Sequence, residues 1–446
     1  MRRGRGRRGA PALLAVVLVA GCTVSVGTSA STSSGPSASG TASRQGLTGQ
    51  HVRVLGVWSG PEYDSFATVT AAWKTATGAT VDWEGTQDPA ASLDTAIGAG
   101  DPPDIAVLPT VGLMDTLAAH GDLVRLDSFM DMGQVATDYA PAWTDLGSHD
   151  GVLYGLFVKV SDKATVWYDP EAFAAAHYEV PTTWAELIDL ANRMVKDGRA
   201  PFSVVAPMSP ASGWALTDWV SQLVLSTCGP DLYDSWVAGT TPWTSACVTR
   251  AFDLFETILR TPGYVLGGAQ GVLTTTDANG VLPVYASPPT AYMYYLASFA
   301  QAFISAAYPT LPAGRGYGFF PFPTVDPRYA GSVTVGADVV VMTKDTPAAR
   351  SLMTYLAGEK AQETWVRLGG FTSVNRNVPP DSYPDPVAQE VARHLTTATV
   401  VRFGAGDAMP AALQRAWWAA MVDLVDHPTR LRSILTSLTR TAQGAG

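Results

Sequence analysis

Trp214 and Asp218 stand four residues apart in SGWALTDW, a spacing that sets both on one face of a helix opening after Ser212 and Gly213. That is an aromatic plate beside a carboxylate acceptor; Trp219, one step on, points elsewhere. Trp58 and Glu62 repeat the combination in VWSGPE, and Gln87 and Asp88 supply further polar groups in EGTQDP. Plates and acceptors hold a ligand, whereas bond cleavage needs more. The sequence has no G-x-S-x-G elbow, no H-E-x-x-H and no P-loop. The glycines of GRGYGFFPFP are followed by prolines rather than a helix, so they make no phosphate cradle. Six histidines, at 51, 120, 149, 177, 394 and 427, are scattered singly and read as surface residues. No catalytic residue, metal or cofactor is expected.

The three cysteines divide by position. Cys228 and Cys247 lie 19 apart with no nearby histidine, which rules against a four-ligand metal site and favours a disulfide outside the cytoplasm. Cys22 ends LVAGC, behind an apolar run from Ala10 to Ala20 and a leader carrying Arg2, Arg3, Arg5, Arg7 and Arg8. Val19, Ala20, Gly21 and Cys22 resemble the lipobox of bacterial lipoproteins, with Leu18 one place early. Residues 1–21 are therefore expected to be a signal peptide, Cys22 a lipidated anchor, and residues 22–49, rich in Ser, Thr and Gly, a flexible tether. Removing the leader leaves 24 basic against 39 acidic residues, a charge of −15, which argues against nucleic acid as a partner.

These side chains need elements to place them. HVRVLGV, ATVDWEG and PDIAVLP read as strands; Tyr63–Thr77, ending at Gly78, and Ala90–Ala99 read as the helices between them. Strand, helix, strand, helix, strand is a parallel sheet, whose ligands bind beyond the strand C-termini. That places Trp58, Glu62, Gln87 and Asp88 at a ligand edge. DGVLYGLFVKVSDKATVWYDPEAF is strand-rich; PTTWAELIDLANRMVKDG is an amphipathic helix capped by Thr182 or Thr183. Further helices are expected at Ala215–Thr227 and Cys247–Leu259, and a strand with two helices in the stretch from VTVGADVVVM to VRLGG. Ala313–Pro327 reads as irregular chain near a crossing between domains.

In this order, GDPPDIAVLP with LAAHGDLVRLD, DGVLYGLFVKVSDKATVWYDPEAF, VPTTWAELIDLANRM and ADVVVMTKDTPAARSLMTYLAGEKAQETWVRLGGFTSVN resemble the extracellular solute-binding proteins of the large sugar-binding group that includes maltose-binding protein. The likeness covers nearly all of residues 50–440. GWALTDWVSQLVLSTCGPDLYDSWVAGTTPW, ASPPTAYMYYLASF and VVRFGAGDAMPAAL resemble the subgroup assigned to α-glucosides, although PAALQRAW departs from its pattern. The resemblance implies a periplasmic-binding-protein-like type II fold, two α/β lobes joined by hinge strands around a ligand cleft. Residues 50–160 would form one lobe, with about 325–370 returning to it; residues 161–324 would form the other, with about 371–446. It also implies a monomer on the extracellular face of the cytoplasmic membrane that delivers a sugar to ABC permease subunits. The alternatives are a non-sugar solute or a secreted glycoside hydrolase, whose two carboxylates would flank the scissile bond.

A sugar presents hydroxyls around apolar C–H faces, so its site needs aromatic plates and charged acceptors. Besides the residues above, the expected set contains Trp167, chosen over its oppositely facing neighbour Tyr168 in the segment that also holds Lys163. Tyr292 of TAYMYYL is included, although such a run is more often the aromatic stripe of a buried helix. Phe371 and Asn375 follow a double glycine, Asp407 lies in the Gly-rich FGAGDAMP, and Trp417 is preferred to the adjacent Trp418. Asp104 is left as a structural carboxylate.

Overall fold

The computed structural model describes residues 46–86, 88–206 and 213–444. Cys22, the leader, most of the tether and Gln87 lie outside the described residues. Two sheets organise the chain. The first contains β1 (His51–Gly56), β2 (Thr80–Gly85) and β3 (Ile105–Leu108), paired in parallel with β1 in the middle. Helices Pro61–Thr77 and Pro89–Gly98 make the crossovers, and the first stops at Gly78, whose φ of 71° is the left-handed conformation glycine tolerates.

A short hairpin, β4 (Ser148–His149) and β5 (Val152–Leu153), precedes β6 (Gly155–Asp162), and β7 (Thr165–Tyr168) follows two residues later in the second sheet. The second sheet is completed by β8 (Ala200–Ser203), β9 (Ala291–Tyr295) and β10 (Gly318–Pro321), in the order β10-β7-β9-β8. The chain then re-enters the first sheet as β11 (Ser332–Met342), which pairs antiparallel with β3 and β6 and parallel with β12 (Val400–Phe403). The two crossings, β6 to β7 and β10 to β11, tie the sheets together. All four residues of β3 and all five of β9 are buried, as strands covered on both faces must be.

Sequence patterning and structure part company at three places. TAYMYYL forms β9, not a helix: its aromatics fill a central strand, where bulky flat side chains pack well on a pleated surface. Ala313–Pro327 is not wholly irregular, because β10 pairs with β7 through Gly318–Pro321, an edge position where proline costs no interior ladder bond. And β12 joins the first sheet although it falls in the stretch 371–446 assigned to the second lobe; the N-terminal half of the eleven-residue β11 offers it a free edge. The helices Trp184–Lys196, Trp214–Cys228 and Ala246–Arg260 form where their periodicity places them. Thr183 is the cap of the first, in a reciprocal capping box with Glu186. Cys228 and Cys247 are bonded, joining the end of the second to the start of the third.

Candidate functional site

The segments leaving both sheets converge on a cavity of about 500 Å³, and a second of about 280 Å³ adjoins it, sharing Lys159, Ser161 and Phe299. Its apolar wall is built from rings. Trp58 emerges just past β1, where its indole N–H donates to Asp338 at 2.7 Å and its ring meets Trp365 edge-on at 4.9 Å. Trp365 in turn stacks on Phe371 at 4.7 Å with planes 9° apart. All three line the larger cavity, and Leu368, 48% exposed, stands at its rim.

The polar wall is built on two lysines. Lys159 of β6 reaches the Glu62 carboxylate, and Asp338 of β11 lies 3.6 Å away. The β6–β11 register shifts at Asp338 and Val339, a bulge of the kind that redirects side chains beside functional sites. Burial disfavours the Lys159 ammonium, but Asp338 and Glu62 outweigh it and raise its pKa. Lys163, in the β6–β7 crossing, donates to Asp218 at 2.8 Å and to Asp407 at 2.7 Å. Burial works against this ammonium too, and the two carboxylates again hold it charged. Burial pushes the Asp218 carboxyl up to about 6 against the pull of Lys163. One Asp218 oxygen, Oδ2, is buried without a hydrogen-bond partner. On the far side of the larger cavity, Gln301 donates to Asp385 at 2.7 Å, and the other oxygen of Asp385 caps the helix Pro386–Thr397.

Of the residues expected from sequence, Trp58, Glu62 and Phe371 line the larger cavity; Trp214 and Asp407 line the smaller. Asp218 lies one layer back, its carboxylate meeting the cavity only through Lys163. Five expectations are corrected. Trp167 is fully buried in the second sheet and donates to the Leu296 carbonyl, while Tyr168 packs on Phe173 and Phe320, so neither lines the cleft. Tyr292 packs between Tyr178 and the Arg199 guanidinium. Asn375 is buried and ties the Ala357 carbonyl. Trp417 is fully buried against Trp236 and Trp243. Asp88 serves as the cap of the helix Pro89–Gly98, accepting from Ala91 N–H, and lines neither cavity. Asp104 accepts from the Arg53 N–H, a structural bond.

Lys159, Asp338, Trp365 and Phe299 also line the cleft but carry no local sequence signal. Lys159 and Asp338 sit in otherwise apolar strands and only the pairing of β6 with β11 brings them together, while Trp365 lies on the buried face of a charged helix and reads from sequence as core. Phe299 faces Trp214 at 6.0 Å, at the junction of the two cavities.

A fold of two α/β units around a cleft lined with plates and hydrogen-bonding groups defines a solute-binding protein. The family model described as bacterial extracellular solute-binding protein matches residues 58–363, and the chain belongs to that family. It is 34% identical over 377 residues to the osmoprotective compounds-binding protein GgtB of Synechocystis, spanning 84% of this chain and 89% of that relative. It is also 34% identical to the alpha-glucosides-binding periplasmic protein AglE of Rhizobium meliloti, over 85% and 84% of the two chains. Among solved structures, the bacterial solute receptor AcbH shares the fold with a TM-score of 0.74 at 19% identity, covering 89% of this chain and 98% of its own. The fold expected from sequence, a periplasmic-binding-protein-like pair of α/β lobes, is therefore the one observed. Among the described residues no helix is long and apolar enough to cross a membrane.

Proposed function

We propose that this chain is the extracellular receptor of a carbohydrate ABC importer, capturing an α-glucoside or short oligosaccharide and delivering it intact to the permease. The observation that carries this reading is the two-sided cleft. Half-buried Trp214 and Phe299, with the largely buried rings of Trp58, Trp365 and Phe371 behind, offer apolar surface to C–H faces, and the adjoining Lys159, Lys163 and their carboxylates offer donors and acceptors to hydroxyls. Relatives named for α-glucosides and for osmoprotective compounds support the same class of ligand. Ligand contact with both walls favours a closed arrangement, with β6 and β11 as the hinge strands and the lobes divided near residues 160 and 325. A lipid on Cys22 holds the monomer at the outer face of the membrane.

Calorimetric titration of the full-length chain against trehalose, maltose, sucrose, maltodextrins, xylo- and cello-oligosaccharides tests the reading, with each mixture assayed afterwards for hydrolysis. One intact sugar bound tightly is the expected result. Cleavage products would make the chain a hydrolase, and silence across the panel would point to a non-sugar solute.

A further inference from the structure

We propose that Lys159 and Lys163 make the cleft selective for neutral sugars, donating hydrogen bonds to hydroxyls while sugar phosphates and uronides are turned away. This inference rests on the sugar-receptor reading and deepens it.

Lysines in a ligand cleft ordinarily suggest an anion, because an ammonium pairs readily with phosphate or carboxylate. Here both are already paired, each with two carboxylates drawn from different parts of the chain. Lys159 meets Glu62 and Asp338; Lys163 meets Asp218 and Asp407. Lys163 commits two of its three N–H groups to those carboxylates, which leaves one as a donor of fixed position. Glycines hold space for it: a Cβ at Gly336 would stand 2.9 Å from its Cε, and one at Gly404 3.1 Å from its Nζ. The lysine is thereby clamped on the side of the carboxylates and of the backbone, with the smaller cavity on the remaining side.

The charge balance then decides what enters. Asp385 adds a further carboxylate to the larger cavity, and neither cavity is lined by arginine or histidine among the described residues. Four lining carboxylates, Glu62, Asp338, Asp385 and Asp407, against two ammonium groups leave the walls two charges negative, and Asp218 adds a third negative charge behind Lys163. An anionic ligand must either break an existing ion pair, leaving a carboxylate uncompensated, or sit beside like charge, and both cost affinity. A hydroxyl needs neither, since it accepts from the free N–H and donates to a carboxylate lone pair.

Matched pairs test this on the full-length chain: trehalose with trehalose 6-phosphate, sucrose with sucrose 6-phosphate, and methyl α-glucoside with methyl α-glucuronide. Each pair is titrated by calorimetry at low and at physiological ionic strength. For whichever pair is bound, the anionic member should be weaker by at least about 30-fold, with the gap narrowing as salt screens the walls. Glu62→Gln removes one carboxylate at a half-exposed position, and Asp407→Asn removes one on Lys163. Both should narrow the ratio by about threefold or more, a readout internal to each folded variant and insensitive to a general loss of affinity. An anionic sugar bound as tightly as its neutral partner, or a ratio that neither substitution moves, would overturn the filter while leaving the sugar reading intact. Silence toward both members of every pair would remove the sugar reading and the filter with it.

Discussion

Trp214 and Trp417 are both tryptophans of helices that meet, and their environments assign them opposite work. Trp214 is half-buried at the edge of the smaller cavity, whereas Trp417 is fully enclosed by Trp236 and Trp243. Trp214→Ala should weaken sugar binding by about 1.5–3 kcal/mol with little effect on folding, measured by calorimetry beside a thermal melt. Trp417→Ala should cost about 3–5 kcal/mol of stability in denaturant unfolding, the usual penalty for emptying a core of an aromatic. Spacing alone separates Trp214 from Trp219, because a helix period is known once the helix is. It does not separate Trp167 from Tyr168: alternation states that they face opposite ways but not which face meets the cleft. The paired lysines were illegible for a related reason, since their carboxylates come from positions up to 244 residues away.

At the scale of elements, two contacts hold the cleft walls in place. Gly213 starts the Trp214–Cys228 helix against the backbone of the helix Ala411–Asp426, where an added Cβ would fall 2.0 Å from the Trp418 carbonyl oxygen. Gly213→Ala must push the two helices apart, so a loss of about 1–3 kcal/mol in stability and a parallel loss of sugar affinity are expected. The helix Pro386–Thr397 is held at the β6–β7 crossing by His394, whose ring nitrogen bonds the buried Asp162 carboxylate; Arg393 and Glu390 flank it on its own helix. Burial disfavours the imidazolium, but Asp162 outweighs it and raises the pKa above 6.5. A raised histidine pKa stabilises the fold fully below the unfolded value and loses that contribution as pH rises through the folded one. The melting-temperature gap between the wild type and His394→Gln should therefore be widest near about pH 6 and shrink toward about pH 9; a gap independent of pH would assign the contact to packing. Helix ends were the most legible features, because Gly78 is read directly as a cap and a second cap is narrowed to Thr182 or Thr183, of which the structure uses Thr183. The glycine- and proline-rich β10 and the aromatic β9 were not, because tertiary pairing decides such segments.

For the whole molecule, the parallel pairing of β1, β2 and β3 was legible from alternating strands and helices, while their order and the use of β11 by β3, β6 and β12 were not. A strand shared by so many partners sits where the sheets connect, and motion about it is the natural response to a ligand that touches both walls. Small-angle scattering should show a smaller radius of gyration with saturating ligand than without, and an unchanged radius would argue for a rigid cleft. One property of the molecule bears on its use as an instrument. Cys228 and Cys247 occupy each other, so Leu368→Cys would offer the sole unbonded thiol among the described residues. It would stand, accessible to a dye, at the rim of the larger cavity. The receptor is thus already arranged to become an optical sensor for its own solute.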